Sequence, residues 1–255
     1  MTVEKTATRT PAIGDTFAGD YEILELAGAG GYARVYRARA RHLDTEVAVK
    51  ILDPALSGSA LDAFLQRFYR EALLTSALSH PNTVTPIDYG RTQDGTAYIV
   101  MEFLDGESIA DVLDRGETFE PPRVRSVMID VLESLHEAHS RGIVHADIKS
   151  SNIFLQRGNP NARTLDFGVA ALIDDETNSS QVFGTPHYIA PEAAVGNAVG
   201  PESDIYSLGI TAFEMLHGRF PFDGESPRDI LKAHVISPMP DLGDQVRNTA
   251  LGHFI

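Results

Sequence analysis

The apolar residues of this chain change their period once, near Asp105-Gly106, and that change constrains the architecture more than any other feature. Before it, Tyr21 to Leu26, Arg34 to Ala40, Glu46 to Leu52, Thr83 to Gly90 and Ala97 to Phe103 are short alternating or apolar runs separated by turn-forming residues. That is the pattern of β-strands, and the first three predict an antiparallel sheet. One helix interrupts them, from about Leu61 to Leu78, with Leu61, Phe64, Leu65, Phe68 and Ala72 on one apolar stripe and Glu71 at its edge. After the change, Val124, Val127, Met128, Val131, Leu132, Leu135 and Ala138 mark a long helix, and Ile205 to Leu216 another. Strands followed by helices predict an α+β chain, with a small sheet-rich lobe over residues 17–104 joined to a larger helical lobe over 105–255. Residues 1–16, polar and Thr-rich to about Gly14, are expected to be a flexible leader, with order beginning near Phe17.

Of the 255 residues, 43% are apolar, enough to build a core and to exclude disorder as the main state. Lys and Arg number 21 against 36 Asp and Glu, and the formal charge of −15 argues against a surface built for nucleic acid or anionic lipid. Residues from Glu107 onward carry −11 of it (11 basic, 22 acidic), a solvated acidic surface that suits basic partners. With no cysteine, disulfides, thiolate zinc sites and thiol nucleophiles are all excluded. No apolar stretch approaches the roughly 18 residues of a membrane span, so no membrane contact is expected from this segment and a cytoplasmic location is.

Gly28-Ala29-Gly30-Gly31-Tyr32-Ala33-Arg34-Val35 approximates G-x-G-x-x-G-x-V, a loop whose missing side chains let backbone N–H groups approach phosphate oxygens. A dinucleotide-binding fold would need this loop to open a helix, and the β-like run that follows excludes it. Lys50 ends the apolar run Val47-Ala48-Val49, where a cation needs solvent or an anion, and Glu71 is the nearest candidate. Two unrelated surface charges would be the plainer alternative. His145-Ala146-Asp147-Ile148-Lys149-Ser150-Ser151-Asn152 concentrates an acid, a base and an amide between two apolar runs. Asp166-Phe167-Gly168 follows another, and Gly184-Thr185-Pro186-His187-Tyr188-Ile189-Ala190-Pro191-Glu192 closes a loop that is polar from Asp174 to Gln181.

This ordered set resembles the protein-kinase superfamily, specifically the bacterial eukaryotic-like Ser/Thr protein kinases, from about Phe17 to Ile255. The resemblance implies a bilobal kinase fold and an ATP-dependent, Mg²⁺-dependent enzyme that phosphorylates Ser or Thr in protein substrates. It implies that Gly28, Ala29, Gly30, Gly31 and Ala33 form a lid over the phosphates and that Lys50, oriented by Glu71, holds the α- and β-phosphates. Asp166 and Asn152 would be the Mg²⁺ ligands, Asp147 would take the proton of the substrate hydroxyl, and Lys149 would neutralise the γ-phosphate. Val35, Ala48, Met101 and Phe154 would form the adenine slot, with the Glu102 carbonyl and the Leu104 amide at its polar edge and Glu107 at the ribose. Lys149 and Thr185 mark a Ser/Thr rather than a Tyr kinase. His145 would pack beside Phe167, Asp204 would bond the backbone of the catalytic loop, and Glu192 would seek an arginine.

Three departures qualify the resemblance. Ala33 replaces the third loop glycine. Ala146 replaces the arginine that pairs with a phosphorylated activation loop, so activity is expected to change little on phosphorylation of Thr177, Ser179 or Ser180. Thr249 to Ile255 stop inside an apolar run, before the last helix and its arginine, which predicts a truncated end, an exposed apolar patch and a destabilised Glu192. The resemblance also admits a small-lobe homodimer and a membrane anchor beyond Ile255. The alternatives are a pseudokinase or scaffold that binds nucleotide without efficient transfer and, less compatible with the later motifs, a small-molecule kinase.

Overall fold

The computed structural model describes residues 10–30, 33–53, 59–167, 171–172, 185–243, 246, 249, 251–252 and 255. Residues 1–9 of the expected leader, Gly31, Tyr32, Gly168, residues 174–181 with Thr177, Ser179 and Ser180, Gly184, Ala250, His253 and Phe254 lie outside them, as do the side chains of Leu61 and Phe64. The chain divides into two compact units. One comprises Met1–Ala77 and Val84–Leu104, the other Leu78–Thr83 and Asp105–Ile255.

The first unit is built on an antiparallel sheet of β1 (Thr16–Phe17), β2 (Tyr21–Ala29), β3 (Ala33–Ala40), β4 (Thr45–Leu52), β5 (Pro86–Arg91) and β6 (Ala97–Glu102), in the order β1-β2-β3-β4-β6-β5. Helix α1 (Ser59–Thr75) falls between β4 and β5 in the chain. Alternation along β4 sorts its side chains by face. Val47, Val49 and Ile51 join a cluster with Ile23, Tyr36 and Val100, while Leu52 packs with Leu65, Phe68 and Ala72 of α1. Lys50, in phase with Leu52, therefore stands on the α1 side.

Order begins earlier than the Thr-rich composition suggests. Ala12 N–H donates to Asp15 Oδ2, Gly14 N–H to the Ile23 carbonyl, and Ile23 N–H to the Asp15 carbonyl. The outer edge of β2 offers unpaired backbone groups, and pairing with them requires no particular side chain. The expected strand from Thr83 is also shorter, starting at Pro86. Thr83 instead makes a parallel bridge to Thr164 in the second unit, the unit to which Leu78–Thr83 belongs.

The second unit holds β7 (Gly106–Ser108), α2 (Ile109–Asp114), α3 (Pro121–Ser140), β8 (Ile143–Val144), β9 (Ile153–Gln156), β10 (Ala162–Thr164), β11 (Ala171–Leu172), α4 (Pro191–Ala194), α5 (Pro201–His217) and α6 (Pro227–Ile236). Val124, Val127, Met128, Val131 and Leu135 of α3 pack with Leu208, Ala212 and Met215 of α5. Two small antiparallel sheets, β10-β9-β7 and β11-β8, border the residues between α3 and α5. Gly106 permits the β7–β9 pairing, because a Cβ there would lie 2.1 Å from the Leu155 carbonyl oxygen.

Near the end of the chain, Val246 and Leu251 are buried in the same core and Ile255 packs on it, so no exposed apolar patch forms at those three residues. Glu192 is half-buried and accepts a hydrogen bond from Ser203 Oγ, a neutral partner where an arginine was expected. Among the described residues the hydrogen bond to this carboxylate comes from a hydroxyl on the first turn of α5.

Helix α6 carries a titratable group into the interior. His234 is 4% exposed, its Nδ1 bonds Tyr206 OH, and burial, reinforced by nearby His187, pushes the imidazole down to about 4. The folded state thus binds fewer protons than the unfolded chain between pH 6.5 and 4. The stabilisation is present above the ordinary imidazole value and is lost as pH falls toward 4. Urea denaturation should show wild type losing about 2–3 kcal/mol more stability than His234→Gln between pH 7 and 4.5. Equal losses in the two proteins would contradict it.

Candidate functional site

In the first unit the cation and the carboxylate expected to pair do so. Lys50 Nζ lies 2.8 Å from Glu71 Oε1, and their side chains are only 13% and 9% exposed. Strand β4 fixes the lysine by its register, Lys50 opposite Val35 on β3 and Ile99 on β6, while Glu71 sits one residue before the buried Ala72 of α1. A pair this deep is held against its own desolvation by geometry, and losing either partner leaves a buried charge. Ala48 stands opposite Met101 and Val47 opposite Glu102, so the β4–β6 ladder sets the residues expected at an adenine edge. Ala48 and Leu104 are buried, and Val35, Met101 and Glu102 half-buried. Gly28 and Ala29 end β2, opposite Val35 and Arg34. Gly30 N–H bonds the Ala33 carbonyl at 2.9 Å, which closes the turn, and nothing within 4 Å opposes a side chain at Gly28.

The second unit gathers four of the expected residues. Lys149 Nζ is 2.7 Å from Asp147 Oδ2 and 3.4 Å from Thr185 Oγ1. Asn152 Nδ2 donates to the Asp147 carbonyl at 2.8 Å and to Asp147 Oδ2 at 3.2 Å. These bonds occupy the amide nitrogen, so the oxygen is the Asn152 atom that could hold a cation. Leu165 N–H bonds the Asn152 carbonyl, which brings the chain leading to Asp166 against the same turn. Asp166 itself has φ +48°, in the left-handed region that Asp tolerates better than most residues. His145 packs on Phe167 with ring centroids 4.3 Å apart, and its Nε2 meets the Leu165 carbonyl.

A brace from α5 holds this loop. Asp204, 1% exposed, accepts from His145 N–H at 2.9 Å and Ala146 N–H at 2.8 Å, and its Oδ2 is 2.7 Å from His139 Nε2. Ala146 has φ +61°, so its bond to Asp204 helps to hold a conformation that costs a non-glycine residue about 1–2 kcal/mol. The family resemblance implied the Asp204 contact; nothing implied the His139 contact, because nothing marks one histidine of an amphipathic helix as a partner.

Glu107 and Phe154 occupy neighbouring strands, with Ser108 opposite Phe154. The Glu107 carboxylate is engaged by Arg115, which also pairs with Glu117. The sequence reading also missed a second anchor. Glu137 accepts from Ser79 N–H, Ser79 Oγ and His80 N–H and pairs with Arg141. Burial opposes ionisation of Glu137, yet those donors outweigh it and hold the carboxyl below its usual range. Asn82 Nδ2 donates to the Asp130 carbonyl, and Thr83 Oγ1 meets Ser134 Oγ.

Among the described residues no group of three or more His, Cys, Asp or Glu is placed to hold a metal, and no helix is long and apolar enough to cross a membrane. Asn152 and Asp166 are hard oxygen donors of the kind that hold Mg²⁺ with one or two protein groups, the remaining positions going to water and phosphate.

Residues 21–246 match the protein kinase domain family. The serine/threonine-protein kinase pkn2 of Myxococcus xanthus is 40% identical over 230 residues, covering 87% of this chain and 27% of that protein. Serine/threonine-protein kinase PrkC of Bacillus subtilis is 39% identical over 230 residues, 89% of this chain and 35% of its own length. Serine/threonine-protein kinase PknB of Mycobacterium tuberculosis is 38% identical over 222 residues, 84% of this chain and 35% of its own. The chain thus spans about a third of the length of these curated relatives.

Proposed function

Because this chain belongs to the protein kinase domain family, we propose that it transfers the γ-phosphoryl group of Mg-ATP to Ser and Thr hydroxyls of proteins. The observation that carries this reading is the series of contacts from Asn152 to Asp147 to Lys149, with Thr185 Oγ1 3.4 Å beyond, an amide, an acceptor, a cation and a hydroxyl in turn. In transfer, a substrate oxygen forms a bond to the γ-phosphorus as the bond to ADP breaks, and the hydroxyl proton goes to Asp147. Lys149 sits beside Asp147 and offsets the charge of the moving phosphoryl group. Thr185, in reach of the same ammonium, lies where the acceptor segment would rest. Lys50, oriented by Glu71, would supply the cation for the α- and β-phosphates, and the backbone of Gly28, Ala29, Gly30, Gly31 and Ala33 would cover them. Asn152 and Asp166 would hold Mg²⁺, which when bound neutralises the charge of the phosphates. Val35, Ala48, Met101, Glu102, Leu104, Glu107 and Phe154 are the proposed nucleoside contacts.

Basic protein substrates suit the acidic second part of the chain, and the absence of a cation at Ala146 supports activity without phosphorylation of the loop before Thr185. The test is incubation with labelled ATP and a generic basic protein, with Mg²⁺ and then with EDTA. Label on Ser and Thr that requires the metal is the expected result. Nucleotide binding without transfer would overturn the reading and make the chain a binding scaffold.

A further inference from the structure

Beside the proposed catalytic cluster lies a second set of polar groups that the reaction does not use. Ser150, Tyr188 and Glu214 are 3%, 7% and 8% exposed. Tyr188 OH donates to Glu214 Oε2 at 2.7 Å, Ser150 Oγ lies 2.9 Å from Tyr188 OH, and Glu214 Oε1 is 3.4 Å from Ser150 Oγ. No ion pair to Glu214 occurs among the described residues. Burial raises both the Glu214 carboxyl and, with Glu214 beside it, the Tyr188 phenol above their usual ranges.

The order of the protons follows from the inventory of donors. A phenol has one hydrogen, and the shortest bond sends it to Glu214. The Ser150 hydrogen is then the one that points to Tyr188, giving a chain Ser150 to Tyr188 to Glu214. Each link belongs to a different element. Ser150 opens the 3-10 turn Ser150–Asn152 and follows Lys149 directly. Tyr188 ends the 3-10 turn Pro186–Tyr188, whose N-cap is Thr185, and its carbonyl accepts from Ser207 Oγ of α5. Glu214 is one face of α5 further along, ten residues after Asp204.

We propose that Ser150 is a positioning residue for phosphoryl transfer, its hydroxyl tying the turn that carries Lys149 and Asn152 to the segment that carries Thr185. The inference rests on the reading above. Apolar side chains would fill this space without burying a carboxylate, so packing alone does not account for the three polar groups. Besides the hydroxyl, the Ser150 backbone N–H also meets the Tyr188 phenol, and Lys149 Nζ makes a long 3.4 Å approach to Thr185 Oγ1; the hydroxyl is the side-chain tie that a substitution can remove.

Ser150→Ala cuts the first link and leaves Tyr188–Glu214 intact, so the fold should survive. Its kcat should fall roughly three- to tenfold, the loss of one neutral hydrogen bond expressed in the transition state, with KM for ATP unchanged within about twofold. Amide exchange at residues 149–152 should speed up. Tyr188→Phe, which removes the bond to Glu214 as well as the bond to Ser150, should lower kcat at least as far, and adding Ser150→Ala to it should lower kcat little further, since the Ser150–Tyr188 tie is already gone. Wild-type kcat in Ser150→Ala, a loss matching only a smaller folded fraction, or additive losses would each overturn the proposal. A wild-type protein no more active than Asp147→Asn would instead overturn the kinase reading, and this inference with it.

Discussion

Asp147→Asn should lower the rate of phosphoryl transfer by about 10²–10⁴-fold while leaving the protein folded, because it removes a proton acceptor and little else. Asparagine has the same shape, and its oxygen can still accept from Lys149 Nζ, now 2.7 Å from Asp147 Oδ2. What it cannot do is take the substrate proton. Lys149 and Asn152 donate to the same oxygen, Oδ2, so the amide oxygen can take its place and keep both contacts, with the amide nitrogen at the Oδ1 position. The carboxylate side chain is 16% exposed, and water can replace part of what is lost. The expected stability change is therefore below about 1.5 kcal/mol. Nucleotide affinity should move less than about threefold, since Lys50, Glu71 and the proposed metal ligands remain. Label incorporation per folded molecule, with a nucleotide-binding titration beside it, separates these effects. Retention of more than a tenth of wild-type transfer would mean that another group takes the proton.

Most of this site was legible because the chemistry that needs it leaves little freedom in residue type. A cation at the end of an apolar strand needs solvent or an anion, and Lys50 has Glu71. Asp147, Lys149 and Asn152 are close in sequence, so a tight polar turn between apolar runs can bring them together. The contact of Asp204 with the loop backbone could be expected only through the family resemblance, since it joins residues nearly sixty positions apart. The strands of the first unit were legible for a different reason: six to nine residues of alternation are long enough to carry a period.

The rest was hidden by length and by neutrality. Strands β7, β8, β10 and β11 are two or three residues long, too short for any period to show, so the second part read as helical only. Leu78–Thr83 follows a helix and precedes a strand, and nothing in its composition says that Glu137 of α3 will take three of its donors. Glu192 was expected to seek an arginine, and among the described residues it has the Ser203 hydroxyl as a hydrogen-bond partner. Hydroxyls are too common for a sequence to flag the one that matters. Ser150 and Tyr188 escaped notice on the same ground.

Asp204→Ala should cost about 3–5 kcal/mol of stability and abolish measurable transfer, though Asp204 touches no substrate. The carboxylate is 1% exposed and accepts two backbone donors, from His145 and Ala146, besides its contact with His139. Alanine leaves those two N–H groups without an acceptor in a region water reaches poorly, and each orphaned donor costs about 1–3 kcal/mol. Ala146 loses the bond that helps to hold its left-handed backbone at φ +61° and should relax toward negative φ, displacing Asp147, the next residue. Asp204→Asn keeps one acceptor oxygen but turns an amide N–H toward the other backbone donor, and should lose about half as much. His139→Ala leaves both backbone bonds in place and should cost about 1 kcal/mol, with transfer largely retained. Urea denaturation ranks the three, and transfer per folded molecule distinguishes a displaced loop from a smaller folded population. If Asp204→Ala were as stable and as active as His139→Ala, the brace would lie elsewhere, because only the backbone bonds to His145 and Ala146 separate the two variants.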